Sequence, residues 1–226
     1  MLKIYLLRHG QTLFNIEEIV QGWNDSPLSE LGQYQARCTG YGLKDVFFTQ
    51  AYCGDTGRQI ETAQAFLSMN SHETSILTDF HFREMCYGKY QDGPYFAMLN
   101  QLYEKVNAVY DGYDGLYRFY NDIEIATMLK ETDETGAFEG PLKLFNRFKE
   151  GLDQICEIHQ EGNILISTSS MAICSVIHYL FPEVIQKHLV ENASITVLSY
   201  HDHHFDLLEY NNIEYRKKGE EFFNLI

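Results

Sequence analysis

Short apolar runs alternate with longer amphipathic stretches along this chain. Residues 2–7, Leu-Lys-Ile-Tyr-Leu-Leu, are apolar or β-favouring and are closed by Gly10, which predicts a buried strand rather than a helix. Comparable runs predict strands at 50–54 and 163–167, with a short strand or edge segment at 75–78. From Ser194 to Tyr200, Ile195, Val197 and Ser199 alternate with Thr196, Leu198 and Tyr200. A polar turn of His201, Asp202, His203 and His204 then predicts a hairpin with Phe205 to Tyr210. Helical spacing predicts a helix from about Glu30 to Leu43, with Ser29 as its N-cap. A second runs from about Thr56 to Met69, with Asp55 as the N-cap and Ile60, Ala63 and Leu67 as its apolar stripe. A third spans about 141–159 with Pro141 at its first position, and a fourth begins near Ser170 and continues through Met171, Ile173, Val176 and Ile177. The tail from Arg216 to Ile226 is assigned no element.

Chemistry gathers where the first run ends. Arg8, His9, Gly10, Gln11 and Thr12 follow it directly, and Asn15 comes next. In open α/β sheets ligands bind beyond the carboxyl ends of strands. Arginine offers a planar fork of donors to phosphate, and histidine is a nucleophile or proton carrier near neutral pH. The set suits an oxyanion, although an Arg-His pair alone more often marks a polar turn. Arg58 is placed in the first turn of a helix, where free backbone N–H groups favour an anion and a cation is unfavourable by about a few tenths of a kcal/mol. That penalty hints at a ligand; the alternative is an exposed ion pair with Glu61. Glu84 beside Arg83 is, on its own, an ordinary solvated pair.

Leu-Leu-Arg-His-Gly-Gln-Thr with Asn15 resembles the signature of the histidine phosphatase superfamily, in its phosphoglycerate mutase-like branch. The resemblance extends to Gly-Trp-Asn-Asp-Ser-Pro-Leu-Ser-Glu-Leu-Gly at 22–32, to Gly-Asp-x-x-Arg-x-x-x-Thr-Ala at 54–63, to Arg-Glu-x-x-x-Gly at 83–88 and to the closing stretch from Asn192. It implies an α/β fold: a three-layer α/β/α sandwich with a mostly parallel central sheet. It also implies that His9 is phosphorylated during turnover, that Arg8, Asn15 and Arg58 bind the phosphoryl group, and that Glu84 protonates the leaving oxygen. Arg83, Thr62 and Ala63 are expected to be structural, and Glu139 and Arg147 to be framework, with Gly140 standing where serine is usual. The pattern breaks after the strand at 163–167. Thr168, Ser169 and Ser170 occupy the Ser-His-Gly positions, so Ser169 stands for the second histidine. It can donate a hydrogen bond to a phosphate oxygen but carries no charge.

No internal repeat or linker interrupts the 226 residues, so a single domain is expected, with a variable cap insertion at about 94–140. That insertion carries Tyr95, Phe96, Leu99, Leu102, Tyr103 and Val106 on one helical face, followed by Tyr110, Tyr113, Tyr117, Phe119 and Tyr120. Burial against the core is the first expectation for such a stripe; lining the entrance for an apolar or flat organic phosphate is the second. A net charge of −15 argues against nucleic-acid and anionic-membrane partners, and it requires any cationic pocket to be local. The five cysteines, Cys38, Cys53, Cys86, Cys156 and Cys174, form no paired motif and read as reduced thiols of a cytoplasmic protein. No run approaches a membrane span. The expected partner is a small phosphate monoester; no metal or organic cofactor is implied, and a polar hairpin tip accounts for the His-Asp-His-His cluster better than a metal site does. The oligomeric state is open, with a dimer as one option. Three functions stay in play: a slow or specialised phosphatase, an inactive phosphate-binding module, and, ranked last, a phosphoglycerate mutase.

Overall fold

In the computed structural model, which describes residues 1–105, 115–116, 118–184 and 190–225, six strands form one mixed sheet. They are β1 (Leu2–Arg8), β2 (Gln50–Cys53), β3 (Ile76–Thr78), β4 (Gly162–Thr168), β5 (Ile195–His201) and β6 (His204–Asn212), in the order β3-β2-β4-β1-β5-β6. The first four are mutually parallel, and β5 and β6 are antiparallel additions at one side. Successive β1 residues serve opposite faces: Leu2, Ile4 and Leu6 enter one apolar core, Tyr5 and Leu7 the other. Burial on both faces is what a near-continuous apolar strand requires, and it gives three layers.

Among the described residues eight α-helices accompany the sheet: α1 (Leu13–Ile16), α2 (Glu30–Gly42), α3 (Gly57–Leu67), α4 (Tyr95–Lys105), α5 (Asp122–Lys130), α6 (Pro141–Ile158), α7 (Ser170–Leu180) and α8 (Glu214–Phe223). Ser29 caps α2 by accepting from Gly32 N–H, as its position suggested. The cap expected for α3 falls one residue later, on Thr56, because Asp55 is drawn off into an ion pair with Arg83. The unassigned tail is a helix. α8 lies on α2 with Tyr41 stacked on Phe222 at 4.0 Å, and side chains are absent at Gly42 and Gly219, where a Cβ would strike the Tyr215 and Cys38 backbones.

Parallel pairing sends the carboxyl ends of β1, β2 and β4 to one edge of the sheet. Arg8 is in register with Thr168, His9 N–H donates to the Thr168 carbonyl at 2.9 Å, and Gly54 N–H donates to that of Ser167 at 3.1 Å. α4 and α5 fall within the stretch 94–140 expected to form a cap. Leu102 and Tyr103 are buried in the core as a packing stripe would be, whereas Tyr95 and Phe96 are not buried. Tyr110, Tyr113 and Tyr117 lie outside the described residues. Among the described residues no helix is long and apolar enough to cross a membrane, and all five cysteines are free and buried.

The first loop approaches α2 backbone to backbone: a Cβ on Gly32 would collide with the Gln11 carbonyl, and one on Gly10 with that of Gly32. Gly32→Ala should therefore lower stability by about 1–3 kcal/mol, read as a shift of the urea midpoint at unchanged slope. A wild-type midpoint would show that this approach is slack.

Candidate active site

The loop after β1 is fixed from several directions. Gly10 N–H donates to Thr62 Oγ1 at 3.0 Å, and Asn192 Nδ2 donates to the His9 carbonyl at 3.0 Å. Thr12 and Asn15 form a capping box that starts α1. Because Thr12 N–H can only donate, the Asn15 atom it meets at 3.1 Å is Oδ1, which leaves the Asn15 amide nitrogen as the free donor on this side chain.

His9 is 4% exposed, and its Nδ1 lies 2.8 Å from the Gly10 carbonyl. A carbonyl only accepts, so Nδ1 carries the proton and Nε2 keeps its lone pair. Burial, with the nearby Arg58 and Arg8 charges, holds the imidazole pKa well below its ordinary value. At neutral pH the imidazole is therefore uncharged.

Arg58 is fully buried. One terminal nitrogen donates to the Asn24 carbonyl at 2.7 Å and to Asp25 Oδ1 at 2.9 Å, and the other to the Gly22 carbonyl at 2.7 Å. Its buried Nε has no hydrogen-bond partner among the described residues. The unfavourable place of a cation at a helix start is resolved by Asp25, whose carboxylate also accepts from the backbone N–H groups of Gly57 and Arg58. Glu61, the alternative partner, instead accepts from Leu28 N–H and Gln33. Thr62, expected only to pack, bonds Gly10 and the Arg58 carbonyl.

Glu84 is buried beside this group. Its Oε1 accepts from Met85 N–H at 2.7 Å, and its Oε2 from Met171 N–H at 3.1 Å, in the first turn of α7. These bonds and the two arginines favour the anion, yet burial outweighs them and raises the carboxyl pKa. The Glu84 segment is held by a buried ion pair. Arg147 bonds Glu139 at 2.8 Å and donates to the carbonyls of Phe80, His81, Arg83 and Glu84, while Glu139 accepts from Cys86 N–H. Arg83 stacks over Trp23, whose indole N–H donates to the Glu84 carbonyl at 2.9 Å.

Arg8, His9, Asn15, Arg58 and Glu84 thus line one cavity of about 410 Å³. Its walls continue through Phe14, Ile19, Tyr87, Tyr95, Phe96 and Leu99, with the exposed Glu18 among the lining residues. Ser169 is not in that lining: its hydroxyl accepts from Gln59 Nε2 at 2.9 Å, and the next residues, Ser170 and Met171, form the wall. Asp25 and Ser170 escaped the reading of the sequence. An acid within the turn-rich loop at 21–27 was the available sign of a counter-charge; one-residue differences in exposure at a strand end leave none.

A buried guanidinium beside an uncharged imidazole and a carboxyl whose pKa burial raises is equipped for phosphoryl chemistry. The family model described as histidine phosphatase superfamily (branch 1) matches residues 4–213. The chain belongs to this superfamily. The crystal structure of phosphoglycerate mutase from Bacillus anthracis str. Sterne is 29% identical, with a TM-score of 0.89, and the match covers 97% of this chain and 96% of that one. Fructose-2,6-bisphosphatase TIGAR B of Danio rerio is 36% identical over 92 residues, which are 39% of this chain and 36% of the relative. Probable phosphoglycerate mutase GpmB of Yersinia pestis (strain Pestoides F) is 34% identical over 94 residues, 42% of this chain and 43% of the relative. The match therefore spans about two fifths of the length of these curated relatives.

Nitrogen-15 NMR of the imidazole checks the electrostatics directly. His9 should hold its Nδ1–H tautomer at neutral pH and titrate well below the ordinary histidine value of about 6.5. Titration at or above that value would contradict the effect of burial and of the two arginines.

Proposed function

We propose that this protein hydrolyses small phosphate monoesters through a phosphohistidine. Nε2 of His9 attacks phosphorus in line, and the bond to the leaving oxygen breaks. Glu84 gives that oxygen its proton, which matters because an alkoxide leaves poorly at neutral pH. Arg8, Arg58 and the Asn15 amide hold the phosphoryl oxygens. Water, losing a proton to the Glu84 carboxylate, then attacks the phosphohistidine and releases phosphate, restoring neutral His9 and protonated Glu84. No step calls on a metal. The observation that carries the reading is the buried Arg58 guanidinium, its Nε without a partner among the described residues, in the same cavity as an Nδ1-protonated His9.

With Ser169 in place of the second histidine, one charged donor is lost, and a slow or specialised enzyme follows. The apolar walls at Phe14, Ile19, Tyr95 and Leu99 favour an apolar or flat organic body over an anionic one. The B. anthracis protein's description favours a second reading, transfer from His9 to a sugar-acid acceptor; a new phosphate ester in place of inorganic phosphate would establish it.

The test compares an aryl phosphate with an alkyl phosphate in wild type, His9→Ala and Glu84→Gln. His9→Ala should abolish turnover of both. Glu84→Gln should cost about 10²–10⁴-fold on the alkyl ester and much less on an ester of an acidic phenol, which needs no proton to leave. The sign of the pH dependence follows from the two groups. Activity rises as His9 loses its proton, well below the usual histidine range, and falls as Glu84 loses its own above the usual carboxyl range. The alkaline fall should vanish in Glu84→Gln. Undiminished turnover by His9→Ala would overturn the mechanism.

A further inference from the structure

Four hydroxyl residues run consecutively where β4 meets α7, and three of them are hydrogen-bonded and lie outside the cavity lining. Ser167 Oγ donates to the Gln59 carbonyl at 2.8 Å, Thr168 Oγ1 donates to that of Phe82 at 2.8 Å, and Ser169 Oγ accepts from Gln59 Nε2 at 2.9 Å. The fourth, Ser170 Oγ, is buried and has no hydrogen-bond partner among the described residues. Ser170 is 5% exposed, and it lines the cavity together with Arg8, His9, Arg58 and Glu84. A buried hydroxyl without a partner is costly, and Ser170 differs from Ser175 and Ser194, whose buried hydroxyls also lack one among the described residues, in lining a cavity from which a ligand can supply it.

The surroundings say what that partner is. Ser170 is the first residue of α7, an eleven-residue helix whose N-terminal N–H groups favour an anion. The next N–H, on Met171, is already taken by Glu84 Oε2 at 3.1 Å. A second donor without a partner among the described residues, on a residue of the same lining, is Arg58 Nε. An oxyanion is the ligand chemistry that suits both donors.

We propose that the Ser170 hydroxyl, rather than that of Ser169, donates to an oxygen of the bound phosphoryl group and stabilises the charge it gains in the transition state. The proposal rests on the phosphatase reading for its kinetic part and stands separately for its binding part. Gln59 holds Ser169 behind the cavity wall, and Ser170 meets the substrate.

The experiment measures kcat/KM with an aryl phosphate, the Kd for inorganic phosphate by calorimetry, and Tm, in wild type, Ser170→Ala and Ser175→Ala. Ser175 is a buried serine on the same helix whose hydroxyl also lacks a partner among the described residues, but it is not in the cavity lining. Ser170→Ala should lower kcat/KM by about 10²-fold and weaken phosphate by about tenfold, with no loss in Tm. Ser175→Ala should change neither kcat/KM nor Kd. Ser170→Ala within twofold of wild type in both overturns the proposal. If wild type binds phosphate in a Ser170-dependent way without turning over the ester, the phosphatase reading fails and this inference holds. If wild type neither binds phosphate nor turns over the ester, both fail.

Discussion

Everything at this site depends on a guanidinium kept out of water. Arg58 is fully buried, and desolvation alone would make its charge intolerable. The fold compensates with the Gly22 and Asn24 carbonyls and the Asp25 carboxylate, all drawn from the loop between α1 and α2. That loop in turn is shaped by backbone: Gly22 adopts a positive φ of 59°, with the Met85 carbonyl and Tyr87 ring packed where a Cβ would sit. Asp25 does two jobs, since it also satisfies the first N–H groups of α3, whose own N-cap side chain makes no capping bond. The result is a rigid positive charge inside an acidic protein.

That charge sets the chemistry of its neighbours in opposite directions. It pushes His9 towards the neutral form, as burial already does, and it draws Glu84 towards the anion, against burial. For Glu84 burial wins. A neutral imidazole and a carboxyl biased towards its protonated form can then coexist beside two arginines, which is the pairing that the proposed phosphoryl transfer to histidine uses. The Arg147–Glu139 pair contributes at one remove, by tying the carbonyls of the Glu84 segment so that the carboxyl stays against Met171 N–H.

Much of this was legible in the chain itself. The apolar run at 2–7 and the Arg-His-Gly that follows it place the strand and two of the cavity-lining side chains, because a short buried strand has few ways to end. The helix starting after Ser29 was equally plain, since a capping serine acts locally. What escaped depended on contacts distant in sequence. Asp55 looked like the cap of α3 until Arg83, 28 residues away, claimed it. The helix α8 has too polar a composition to announce itself, and it forms because its rings and a glycine fit α2. The choice between Ser169 and Ser170 turns on Gln59, a hydrogen-bond partner 110 residues distant, and spacing alone cannot reveal that.

The central claim is that His9, neutral and aimed by the Gly10 carbonyl, becomes covalently phosphorylated. Rapid acid-free quenching during turnover of a phosphorus-32-labelled monoester, followed by peptide mapping, measures this most directly. The account predicts label on the peptide containing His9, stable in base and lost in acid, and absent from His9→Ala. Turnover with no protein-bound label at any time point, or label on another residue, would contradict it.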